Sequence, residues 1–160
     1  MAYNWRQIFW FAPHNCFYGI HGNSGYLFRF NVDDHKIELI ERLTSIPSKR
    51  SGMFDQFTYG YLGFVLGPDQ RTIYYLTGAP MYENGSRVLG KQNSAKGEAK
   101  GMEHLQLITY DLIDQKYKDH GPIFFKNGEG PLYVNSIAVG FDCKVYFMGR
   151  ITENGTARID

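Results

Sequence analysis

The residues best suited to chemistry fall in two long polar stretches. The first, Ser45 to Gly60, runs on into Tyr61 and offers a cation at Arg50, a carboxylate at Asp55 and phenols at Tyr59 and Tyr61. An arginine can hold a carboxylate or sulfate through two parallel hydrogen bonds. A tyrosine can donate or take a proton where its surroundings shift its pKa. Phe57, Tyr59 and Tyr61 are spaced by two, so an extended backbone points all three rings to one side. Such a row, with Arg50 upstream, suits stacking of sugar rings and pairing of a uronate or sulfate. The competing use is structural, with the rings padding a neighbouring sheet and the charges solvated. The second stretch, Ala79 to Glu103, is basic at Lys91, Lys96 and Lys100 and abuts His104. It suits an anionic ligand or a solvated loop.

Other signals are absent. No Gly-Lys-Ser/Thr phosphate loop and no Gly-x-Ser-x-Gly elbow occurs. Cys16 and Cys143 each fall at the turn of a hairpin and read as unpaired thiols. Neither has a His or Cys at metal-ligand spacing, so no cofactor or metal is expected. Net charge is +1, which gives no basic field for nucleic acid. No apolar run approaches the ~20 residues of a membrane helix.

The elements that position these stretches are strands. At 160 residues, with 43% hydrophobic and 16% aromatic content, the chain can bury a substantial core, and twelve Tyr plus twelve Phe favour β structure. Two phrases repeat. Gly63 to Gly78 reads strand, turn at Gly67-Pro68-Asp69-Gln70, strand. It returns at Ser136 to Arg150 and, more weakly, at Ile8 to Gly22 around Ala12-Pro13-His14-Asn15. The second phrase, Tyr26 to Leu39, returns at Gln106 to Asp119, with Phe30, Asn31, Val32 and Lys36 falling on Tyr110, Asp111, Leu112 and Lys116.

Hairpin followed by hairpin predicts units of four antiparallel strands, a to d. Unit I covers about 7–46, with strands at Gln7–Phe11, Phe17–His21, Tyr26–Val32 and Lys36–Arg42. Unit II covers about 60–125, with strands at Tyr61–Leu66, Thr72–Thr77, Leu105–Leu112 and Lys116–Lys118. Unit III covers about 132–160 and is incomplete, with strands at Asn135–Gly140 and Val145–Arg150 and a third beginning at Thr156. The apolar runs of strand a predict burial on both faces for Phe64, Leu66, Ile137 and Val139. Strands c and d alternate, as outer strands with one wet face should. Ser94 to Glu103 is interrupted by Gly97 and Gly101 and reads as loop. Among the histidines, His14 and His35 read as turn residues and His120 as bonded to backbone. His21 and His104 flank the b-to-c connections at one end of the units, which makes them site candidates beside Arg50, Tyr59 and Tyr61.

Tandem four-stranded units resemble the blades of a β-propeller. Leu66 to Tyr74 is similar to the "D-x-D-G-x-L-Y" turn of many bacterial propellers. Thr109 to Leu112 followed by Lys118 to Ile123 is similar to their "Y-D-x-x-T-G-x-x-x-D-L-G-P-I" phrase. Gln70 and Cys143 stand where that pattern has Gly, and His120 where it has Leu. The resemblance implies an all-β chain of about two and a half blades, part of a larger ring of about seven. The open blade faces would then be covered by the remaining blades or by self-association. It places function on the d-to-a and b-to-c loops, where Arg50, Tyr59, Tyr61, His21 and His104 lie. It implies a scaffold or binding module, with acidic carbohydrate as the ligand class. The alternative is a propeller carbohydrate-active enzyme, a polysaccharide lyase or a lactonase-like hydrolase. A parent acting on carbohydrate would favour the periplasm or the extracellular space.

Overall fold

A computed structural model describes residues 8–21, 25–46, 49, 63–77, 82–83, 86–87, 105–128, 130–131, 133–153 and 156–159. These form an all-β protein of antiparallel sheets. The first sheet is a meander of β1 (Ile8–Phe11), β2 (Cys16–His21), β3 (Tyr26–Asn31) and β4 (Ile37–Arg42), in that order. The second orders β5 (Phe64–Leu66), β6 (Thr72–Thr77), β9 (Gln106–Asp111) and β10 (Lys116–Pro122). Between β6 and β9, a stretch that reads as loop in the sequence carries a two-stranded pair, β7 (Tyr82–Glu83) and β8 (Ser86–Arg87). The third sheet orders β11 (Tyr133–Val139), β12 (Val145–Glu153) and β13 (Thr156–Ile159). β10 runs four residues beyond its expected end, with a bulge between Asp119 and Pro122.

The turns explain the repeats. In each a-to-b hairpin an amide closes onto a carbonyl three residues back: Asn15 to Ala12 (3.1 Å), Gln70 to Gly67 (3.0 Å) and Cys143 to Gly140 (2.9 Å). Each donor sits at positive φ: 50° at Asn15, 54° at Gln70 and 61° at Cys143. That conformation is one glycine adopts without strain, and a side chain there costs about 1 kcal/mol. The c-to-d turns do the same at His35 (φ 56°) and Gln115 (φ 52°). The Asn31 side chain accepts from the Asp33 amide (2.9 Å), and Asp111 accepts from the Ile113 and Asp114 amides (2.9 Å each). Short polar side chains that bond their own backbone are what such turns require.

The sheets stack face to face. Phe11, Cys16, Tyr18, Ile20, Leu27 and Leu43 from the first sheet and its exit pack against Phe64, Ile73, Tyr75, Ile108, Tyr110 and Leu112 of the second. The opposite face of the second sheet, with Leu76, Leu105 and Leu107, meets Val134, Ile137 and Phe147 of the third. The Phe9 and Phe64 rings stack between the edge strands β1 and β5, centroids 5.5 Å apart.

Burial departs from the sequence expectation in an informative way. Only Phe64 of the four strand-a residues is buried; Leu66, Ile137 and Val139 are half-buried. In β1, Ile8 and Trp10 are exposed, as are Ser136 and Ala138 in β11. Full burial needs a layer on each side, and among the described residues only the second sheet has both. For the same reason β9 is not wet on one face: Ile108 and Tyr110 are buried and Leu107 is half-buried.

Ile108→Ala should therefore cost about 2–5 kcal/mol in denaturant unfolding, whereas Leu39→Ala, on the open face, should stay within about 0.5 kcal/mol. Gln70→Gly should raise stability by up to about 1 kcal/mol, since it relieves the positive φ without removing a described side-chain bond. A loss of stability on that exchange would contradict the turn geometry.

Candidate functional site

An antiparallel meander sorts its connections between two ends. The short a-to-b and c-to-d turns lie at one end; the b-to-c and d-to-a connections leave from the other. Carboxylates at the turn end are committed to structure. Asp69 accepts from the Arg71 and Thr72 amides (3.1 and 3.0 Å) and from the Thr72 hydroxyl (2.5 Å). Burial alone would raise its pKa, but these donors hold the carboxyl below its usual range. Asp111 binds the Arg71 guanidinium (2.6 Å), which with the turn amides holds that carboxyl low as well. In the first sheet the equivalent link runs from the Asn15 amide group to Asp33 (2.8 Å). Asp142 accepts from the Lys144 ammonium and amide (2.6 and 3.2 Å), and its pKa is lowered.

The described histidines are likewise engaged. His14 shares a hydrogen bond with the Tyr18 hydroxyl (2.7 Å) and meets Phe11 edge-on. Burial pushes the Tyr18 phenol up to about 12; the nearby Cys16 thiol adds to this and Arg29 opposes it. His35 is exposed and stacks on Phe30. His120 bonds the Thr109 hydroxyl (2.8 Å) rather than backbone. Its pKa is lowered by burial and by Lys118. Cys16 is buried, Cys143 exposed, and both are free thiols. Among the described residues no group of three or more His, Cys, Asp or Glu could hold a metal ion. No helix there is long and apolar enough to cross a membrane.

The opposite end is where the long connections are anchored. His21 closes β2 there, half-buried and paired in register with Tyr26. The chain leaving β4 is fastened to the next sheet. The Ile46 amide donates to Asp119 (2.8 Å), the Tyr117 hydroxyl donates to the Thr44 carbonyl (2.6 Å), and the Lys49 ammonium sits 3.4 Å from the centre of the Tyr117 ring while pairing with Glu41 (2.9 Å). The same chain re-enters at Gly63, where a Cβ would stand 2.6 Å from the Leu76 carbonyl oxygen. The connection bearing Arg50, Tyr59 and Tyr61 is thus pinned at both ends. The connection ahead of His104 starts at Thr77 and ends at Leu105, both buried. Arg50, Tyr59, Tyr61 and His104 themselves lie outside the described residues, as do Asp55, Phe57, Lys91, Lys96 and Lys100. No sequence signal marks the fastening of Thr44, Ile46 and Lys49 onto Tyr117 and Asp119, because it joins residues about 70 apart with no shared motif.

Comparison with known protein families, curated proteins and solved structures finds no match.

The lowered carboxyls set a pH dependence. A depressed folded pKa contributes stability that is fully present above the unfolded value, about 4, and is lost as pH falls through the folded value. The melting temperature should fall slightly between about pH 7 and pH 5, because the unfolded chain protonates His120 before the folded one does, and fall further below about pH 4 as the lowered carboxyls protonate. Asp111→Asn should flatten that acid limb. An unchanged limb in the variant would show that the Arg71–Asp111 pair carries no linkage.

Proposed function

We propose that the chain is a β-propeller-type scaffold of about two and a half blades that binds an acidic carbohydrate at the end where its long connections leave. The carrying observation is the division of labour between the two ends. One end commits its described carboxylates to turns. The other is where the segment that holds Arg50, Phe57, Tyr59 and Tyr61 leaves β4 and where the chain re-enters the second sheet at Gly63. A cation upstream of rings spaced by two supplies charge pairing and stacking together. His21, at the end of β2, lies at the same sheet end as both long connections. Loops on a rigid scaffold are where binding residues concentrate.

Titration calorimetry with uronate- and sulfate-bearing oligosaccharides tests this. Arg50→Ala and Tyr59→Phe should each weaken binding by about tenfold, roughly 1.4 kcal/mol, with the melting temperature unchanged. Binding that is indifferent to both, or a loss of several degrees in both variants, would place these residues in the packing instead.

A further inference from the structure

The hairpin registers put the three sheets on a common frame. Cys16 pairs with Phe11, the Gly67 amide donates to Thr72, and the Gly140 amide donates to Lys144; each closes its a-to-b turn. Aligning those closing positions superposes Tyr18-Gly19-Ile20, Tyr74-Tyr75-Leu76 and Tyr146-Phe147-Met148. The first and third members of each triplet share a face. In the first sheet, Tyr18 and Ile20 pack against the second sheet. In the second, Leu76 packs against the third. In the third, Tyr146 and Met148 are 57% and 46% exposed, flanked by exposed Ser136 and Ala138, their partners in register. Among the described residues, this repeated outgoing face is used twice and left open once.

The receiving face shows the converse. Phe64, Ile73, Tyr75, Ile108 and Tyr110 are buried where the second sheet meets the first, with Tyr117 packed against them. In the common frame they correspond to Ile8, Phe17, Gly19, Phe28 and Phe30, with Ile37 for Tyr117. Those five side chains of the first sheet line an apolar hollow of about 490 Å³. Ile8 and Ile37 are 55% and 62% exposed. Gly19 stands where the second sheet has the large Tyr75. The Phe28 ring lies over it so closely that a Cβ there would collide with it. The first sheet therefore has a receiving face with nothing described on it.

We infer that this chain associates head to tail with a second copy of itself, the Tyr146/Met148 face of one copy seating on the Ile8/Phe17/Phe28/Phe30/Ile37 face of the other. The inference rests on the stacked-sheet part of the reading above and not on its ligand. The occupant follows from the chain itself, because its one open outgoing face is of the kind that its receiving faces already hold. The contact continues the two sheet-to-sheet interfaces within the molecule. It is heterologous, so it closes into a ring where the rotation permits and otherwise extends as a filament. Two copies joined at both faces stack six sheets, within the roughly four to eight that propellers accommodate.

Sedimentation velocity and light scattering on the full chain test this with Ile37→Asp and Tyr146→Asp, both at exposed positions, and circular dichroism as the check on folding. The wild type should run at the mass of two or more chains, and each variant at the mass of one. An equimolar mixture of the two variants should recover a species of two chains, because each retains the face that the other lacks. Ile37→Ser and Tyr146→Ser replace the aspartates if either unfolds the chain. A wild type that stays at one chain at every concentration overturns the inference, as does association insensitive to both substitutions or a mixture that stays at one chain. None of these readings uses carbohydrate, so failure here leaves the ligand proposal standing, and failure of binding leaves this one standing.

Discussion

Tyr75 and Leu76 are neighbours in β6, point to opposite faces and are both fully buried. A strand in that situation needs a layer on each side, and the rest of the architecture follows from meeting that need. The first sheet covers Tyr75 and the third covers Leu76. Apolar burial of this kind is the dominant favourable term in folding. The hydrogen-bonded ladders keep the backbone satisfied while side chains go both ways.

The polar chemistry of the described residues serves the same end. Asp69, Asp111 and Asp142 fix the turns that set where each hairpin reverses, and so which residues face which layer. A slip of one residue in that register would send every apolar side chain to the opposite face. Arg71, bridging Asp111 and Asp114 across two turns, ties the a-to-b hairpin to the c-to-d hairpin within one sheet. Positive φ at non-glycine residues is the local cost of keeping this register.

Much of this was legible in the sequence. The strands β2, β3, β4, β6 and β9 fall within a residue or so of where alternation and turn residues place them, since both signals are local. What could not be read was which faces are covered, because burial of Leu66 or Ile137 depends on a layer supplied from elsewhere in the chain. The β7–β8 pair hid in a Gly-, Ser- and Lys-rich stretch with no apolar alternation. His120 looked like a backbone partner; its ring instead reaches diagonally across the ladder to the Thr109 hydroxyl, whose register partner is Lys118. The candidate ligand residues Arg50 and Tyr59 come from a connection that the repeated phrases do not cover, so the repeats could say where it attaches but not how it is arranged.

The fastening of Lys49, Ile46 and Thr44 onto β10 has a bearing on how the molecule comes apart. It joins the exit of the first sheet to β10 at one edge of the second, at the opposite edge from β5, where Phe9 stacks on Phe64. The two sheets are thus held at both edges, like a book bound along the spine and clasped at the fore-edge. Layers held only by stacking can peel apart one neighbour at a time. Layers clasped at both margins have no free edge from which to start, so the first two sheets act as a single cooperative block.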